Sequence, residues 1–191
     1  MRALRALRIA LMLAPVLAAG ATSVAGQETQ PLDPKDFQSN SLLFVQQDVL
    51  PSFGQQEGVR LGTVRGLVSG AITTNFFFTI PPPGPFVADD WALVIDADGD
   101  QILFEIHAEG NATFDTLSPS PNFPEGINPF RAPFRATYKV VDATGKLAKY
   151  KGLTFPARGT GVVSTKWFVG NFSGAPVGIV YVEVSRNPIR K

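Results

Sequence analysis

The residues best equipped for chemistry in this sequence are Asp90, Glu105, His107 and Glu109. One imidazole among carboxylates at strand spacing can ligate a metal ion. Glu105 and His107, the single histidine, can also act as an acid/base pair near neutral pH. The bland alternative is a solvated face of antiparallel sheet, with Asp90 and His107 as an exposed cross-strand pair. The residue pattern alone leaves both open, and no metal is assigned.

A second acidic group, Asp96, Asp98, Asp100 and Glu105, comes near a calcium loop. It misses the EF-hand pattern, because Gln101 stands where glycine is needed and His107 where the bidentate glutamate belongs. A tight turn accounts for it better. The aromatic load offers a third possibility. Among 15 phenylalanines, two tryptophans and three tyrosines, Phe76, Phe78, Trp91, Phe104, Phe134 and Tyr138 could line an apolar pocket, since such cavities have few polar groups. With no cysteine, thiol catalysis and thiolate metal sites are excluded. The sequence has no Gly-x-Ser-x-Gly, phosphate loop or dinucleotide fingerprint. No cofactor is expected.

These residues need strands to carry them. Trp91–Asp96 and Gln101–His107 flank Asp98-Gly99, the strongest short-range hairpin signal. A two-residue turn there sets Ile95 opposite Ile102, Leu93 opposite Phe104 and Trp91 opposite Ile106 on one apolar face. Asp90, Glu105, His107 and Glu109 then share the other face. Elsewhere Leu42–Val45, Gly58–Ile80, Phe134–Val141, Gly159–Phe168 and Gly178–Val184 are β-like, and no segment has convincing helical spacing. Gly62, Gly66 and Gly70 fit bends where a sheet curls. Residues 81–85 break the chain, 119–133 form a proline-rich loop, and Leu147–Lys151 suits a short helical turn or bulge. Such a series of strands indicates an all-β sandwich or barrel.

The N-terminus has a different character. Arg2, Arg5 and Arg8 precede an apolar stretch over Ile9–Ala21, and Ser23-Val24-Ala25 offers small residues for cleavage. This is the pattern of a signal peptide over 1–25, followed by a polar linker over 26–40. The expected product is exported, secreted or periplasmic, with no stable membrane insertion after cleavage. Its 14 basic and 16 acidic residues give no electrostatic reason to bind nucleic acid. The expected barrel domain covers 41–186, and residues 187–191 form a basic tail. Arg186, Arg190 and Lys191 are expected to be solvated. Asn111-Ala-Thr113 and Asn171-Phe-Ser173 fit the glycosylation acceptor pattern, which matters only in a eukaryotic source.

Three stretches together resemble the barrel of plant allene oxide cyclases and dirigent proteins, which has exported bacterial relatives. They are Gly66–Asn75, Asp98–Phe104 and Val140–Gly152. Thr144–Gly152 is similar to that family's glycine-rich turn, although Asp142-Ala143 stands where a glycine pair is usual. The resemblance implies a single antiparallel barrel of eight strands and a homo-oligomer. It also implies a hydrophobic, oxygenated small molecule as ligand or cyclase substrate. The cyclase's catalytic Glu and Asn have no counterparts here, which counts against that activity. Three expectations follow: a binder of a hydrophobic small molecule, a cyclase/isomerase-like enzyme using Glu105 and His107, or a structural, oligomerising protein.

Overall fold

The computed structural model describes residues 40–52, 54–80, 84–114, 129–164 and 178–190. Eight strands run in chain order: β1 (Leu43–Ser52), β2 (Gly54–Arg65), β3 (Gly70–Ile80), β4 (Gly84–Asp96), β5 (Gln101–Phe114), β6 (Pro129–Ala143), β7 (Thr154–Ser164) and β8 (Gly178–Val184). Each pairs antiparallel with the next. β1 returns to β8, with Leu43 opposite Val184, and closes the barrel. Closure leaves no unpaired sheet edge among the described strands. Glycines permit the coiling: a Cβ on Gly70 would lie 2.1 Å from the Ile95 carbonyl oxygen.

Alternate residues point inward and form an apolar core without a disulfide. One end is plugged. Leu42, just before β1, and Val68, in the β2–β3 turn, cover it, and Val68 N–H donates to the Leu42 carbonyl at 3.1 Å. Leu147 is buried from a 3₁₀ turn over Gly145–Tyr150, the element expected at Leu147–Lys151. The chain after β8 lies along β7, with Ile189 N–H donating to the Thr154 carbonyl at 2.8 Å.

The β4–β5 register differs from expectation by one residue. Ile95 faces Gln101, Val94 faces Ile102, Ala92 faces Phe104 and Asp89 faces His107. Asp96 N–H donates to the Asp100 carbonyl at 2.9 Å and so encloses a three-residue loop, Ala97–Gly99, with Gly99 at φ +86°, and Asp98 is not in the left-handed region that a two-residue type I′ turn needs. The Asp96 carboxylate decides it, because Oδ1 accepts the amides of both Asp98 and Asp100 at 2.9 Å. A slip of one residue exchanges the faces of a strand. Asp90, Ala92 and Val94 therefore point inward, while Trp91, Leu93 and Ile95 point outward. Packing favours the same choice, since an eight-stranded barrel is just wide enough for its own side chains. Phe104, Tyr138 and Phe155 already fill this level.

Pro129 and Pro133 belong to β6 rather than to a loop. The expected signal peptide, nearly all of the linker, residues 81–83 and 119–128, the second glycosylation pattern and Lys191 lie outside the described residues.

Candidate functional site

The barrel interior away from the plug is organised in rows. Phe86, Gly110, Phe134 and Gly159 are successive cross-strand partners over β4–β7. The next inward row is Ala88, Ala108, Ala136 and Ala157. Phe76 likewise faces Gly58 across β2–β3. Each of these three rings lies over its glycine. A Cβ would come within 2.5 Å of Phe76 at Gly58, 2.6 Å of Phe86 at Gly110 and 2.3 Å of Phe134 at Gly159. Glycine lets the rings lie flat on the wall, and the alanine row beneath them is too short to fill the centre. The result is an apolar cavity of about 70 Å³. Phe78, half-buried, touches Phe76 and Phe86 edge-on at centroid distances of 5.4 and 5.7 Å.

Arg60 and Asp90 bring charge to this apolar wall. They form a buried ion pair through Arg60 Nη2 and Asp90 Oδ2. The guanidinium also lies 5.0 Å from the Phe76 ring centroid, in cation–π range. Beside them, Gln47 Nε2 donates to Thr74 Oγ1 at 2.9 Å and to the Arg60 carbonyl at 3.3 Å. Arg60 Nε and Asp90 Oδ1 are buried without a hydrogen-bond partner among the described residues. Burial pushes the Asp90 carboxyl above its ordinary range, and Arg60 only partly opposes this. Burial likewise raises the Tyr138 phenol.

The residues singled out from sequence are divided by the barrel wall. Phe76, Phe78 and Phe134 line the cavity. Phe104 and Tyr138 are buried deeper, edge-on at 5.4 Å. Trp91 was expected in the pocket but stands on the outer wall, half exposed, because of the register change. Glu105, His107 and Glu109 also lie outside and exposed, so Asp90 is not on their face. His107 Nδ1 meets Asp89 Oδ1 at 2.8 Å, and its Nε2 meets Glu109 Oε1 at 3.3 Å. The hydrogen bond to Asp89 raises the His107 pKa. Glu105 pairs with Lys139 at 2.7 Å. No cluster of three metal-ligating side chains occurs among the described residues. At the β4–β5 turn, the Lys146 ammonium pairs with Asp96, at 3.0 Å, and with Asp98. An intramolecular cation thus sits at the near-miss calcium motif.

Arg60 escaped the sequence reading. Its only signal was a cation between glycines in the alternation Gly58, Arg60, Gly62.

No known family model matches the chain, and no curated protein is detectably similar to it. A β-barrel-like protein of Acinetobacter baumannii, known from its crystal structure, shares 12% identity at a TM-score of 0.39. The match covers 78% of this chain and 94% of that one. Similarity at this level carries no functional argument; the architecture rests on the strand pairing itself.

Proposed function

We propose that this is an exported barrel that binds one small hydrophobic molecule bearing an oxygen function. The observation that carries this reading is an apolar cavity with a buried, incompletely satisfied Arg60–Asp90 pair on its wall. An unpaired buried donor or acceptor costs ~1–3 kcal/mol. A carbonyl or hydroxyl on the guest would meet Arg60 Nε or Asp90 Oδ1 while its hydrocarbon part lies among Phe76, Phe86 and Phe134. A larger guest would displace Phe78, the half-buried ring. The resemblance of residues 98–104 and 140–152 to the allene oxide cyclase and dirigent barrel agrees with such a guest.

A cyclase- or isomerase-like reaction is the second reading. It is favoured by the raised pKa of Asp90, which suits a carboxyl that exchanges protons inside an apolar site. Self-association is a further property we propose for the outer wall. Leu61, Phe77, Trp91 and Ile95 are exposed there on adjacent strands, and single-copy sedimentation would count against it.

The deciding experiment is mass spectrometry of the protein from its natural host, native and then denatured. Organic excess mass released on denaturation is expected, and the denatured mass tests cleavage after Ala25. A barrel that carries no organic mass and takes up neither benzene nor xenon overturns the binding reading. Turnover of a recovered guest that is lost in Asp90→Asn would establish the enzymatic one.

A further inference from the structure

The outer wall over β6–β8 carries an arrangement unrelated to the barrel interior. Register sets Glu109 opposite Arg135, Arg135 opposite Arg158 and Arg158 opposite Glu183. Two arginines directly opposite each other are a destabilising pair. Neighbouring carboxylates only partly relieve it. Glu109 reaches His107 instead. Glu183 is buried and accepts Arg158 Nε and Nη2 on one oxygen, at 2.9 and 2.7 Å. Its other oxygen accepts the Ser41 hydroxyl at 2.5 Å. Glu183 thus anchors Arg158, which remains half exposed with its second terminal nitrogen uncommitted among the described residues.

Arg186, also exposed, lines the same groove as this pair. The chain leaving β8 is tied down by Ser185 N–H to the Pro156 carbonyl at 2.9 Å and by Asn187 N–H to Ser185 Oγ at 3.1 Å. Arg135, Arg158 and Arg186 consequently line one groove of about 490 Å³, together with Ser185 and Asn187. Neither Arg135 nor Arg186 has a hydrogen bond or ion pair among the described residues. By contrast, Lys139, Lys146 and Lys151 each rest on a carboxylate. Among the described residues that line the groove, three guanidiniums against one buried carboxylate leave two positive charges.

We propose that this groove binds a phosphate-class dianion. Planar guanidinium forks match phosphate oxygens bidentately, and hydroxyl and amide groups at the rim supply further hydrogen bonds. The groove is larger than phosphate itself, so the natural ligand carries the phosphate on a bigger body, either a soluble ester or a lipid headgroup. Such a charged group is chemically distinct from the barrel guest, and the two sites are independent.

The test is calorimetric titration of the mature protein with inorganic phosphate at low ionic strength, with chloride at matched ionic strength as control. Saturable one-to-one binding is expected, at least about tenfold weaker in Arg135→Gln/Arg186→Gln, since each loses a charge-assisted hydrogen bond. Lys139→Gln, on the same strand but outside the groove, should bind as the parent does. Absence of saturable binding, binding unchanged in the double variant, or equal weakening by Lys139→Gln would overturn the proposal. Co-sedimentation with phosphatidylcholine vesicles, with and without phosphatidic acid, then identifies the source. Capture that needs phosphatidic acid and the same arginines supports a headgroup; phosphate binding without capture supports a soluble ester.

Discussion

Gly159→Ala should separate binding from stability. The new Cβ would lie 2.3 Å from Phe134 Cζ, whereas ordinary contact begins at 3.4 Å, so the ring must swing by about 1 Å. β7 blocks one direction, which leaves the cavity that Phe134 already lines. Overpacking a filled core costs ~1–3 kcal/mol. Here the ring has about 70 Å³ of space to enter, which places the cost at the lower end of that range. Alanine also recovers ~0.5–1 kcal/mol of backbone entropy that glycine loses on folding. The net change in stability should therefore stay within ~1 kcal/mol.

Guest binding should respond far more. The best small ligands gain up to ~1.5 kcal/mol per non-hydrogen atom, so lost space for two atoms weakens binding by up to about a hundredfold. Benzene is the probe. The Val163 and Val180 methyl resonances report its entry, and urea unfolding reports stability. Gly161→Ala is the companion variant. Its Cβ would meet Val180 Cγ2 at 3.6 Å and Ala132 Cβ at 3.8 Å, ordinary contacts, so it fills space without moving a ring. It should weaken benzene binding with no loss of stability. If Gly159→Ala unfolds the protein, by ~3 kcal/mol or more, the ring has no space to enter and the cavity assignment fails. If both variants bind benzene as the parent does, the guest does not sit there.

Asp90→Leu alone should cost ~3–5 kcal/mol by stranding a buried guanidinium, and Arg60→Met/Asp90→Leu should recover most of it; a double-mutant cycle in urea measures the coupling. NMR titration should place the His107 pKa above its ordinary 6.5, with Asp89→Asn lowering it. Because the folded pKa is raised, this contribution is full below the unfolded value and lost as pH rises through the folded one, so the parent's advantage over Asp89→Asn should fade in that direction. Burial pushes Asp96 up, but hydrogen bonds from Lys146 and the amides of Asp98 and Asp100 bring it below its ordinary range. That stabilisation is present above the unfolded pKa and lost as pH falls through the folded one, so Lys146→Met should begin acid unfolding at a higher pH by circular dichroism.

The sequence made the kinds of element legible more readily than their registration. Runs such as Gln101–His107, with alternating apolar residues and Asp98-Gly99 before them, specify a hairpin. Asp98-Gly99, however, suits both a two-residue loop and a three-residue loop with glycine in the left-handed position. The choice depends on Asp96 accepting two amides, a contact that exists only once the turn has formed. That choice carried Trp91 from the expected pocket to the outer wall and Asp90 from the expected polar face to the cavity. Pro129 and Pro133 were misplaced for a related reason: proline punctuation marks loops unless a strand position that needs no N–H accepts it. Phe76, Phe78 and Phe134 line the cavity, and their placement did not depend on the β4–β5 turn.

The glycines connect the fold to its proposed use. A barrel of eight strands has little interior volume, yet this one admits Phe76, Phe78, Phe86, Phe134, Phe104, Tyr138 and Phe155. Facing these rings with more large residues would leave no cavity at all. Facing Phe76 with Gly58, Phe86 with Gly110 and Phe134 with Gly159 instead presses the rings against the wall. The alanine row keeps the centre open, and Arg60 and Asp90 reach it from β2 and β4. Pure stability would be better served by closing that space, since lining atoms facing a void lose their dispersion contacts. An unfilled centre beside a buried, incompletely satisfied ion pair is costly on both counts, and a guest with an apolar body and one oxygen would offset both.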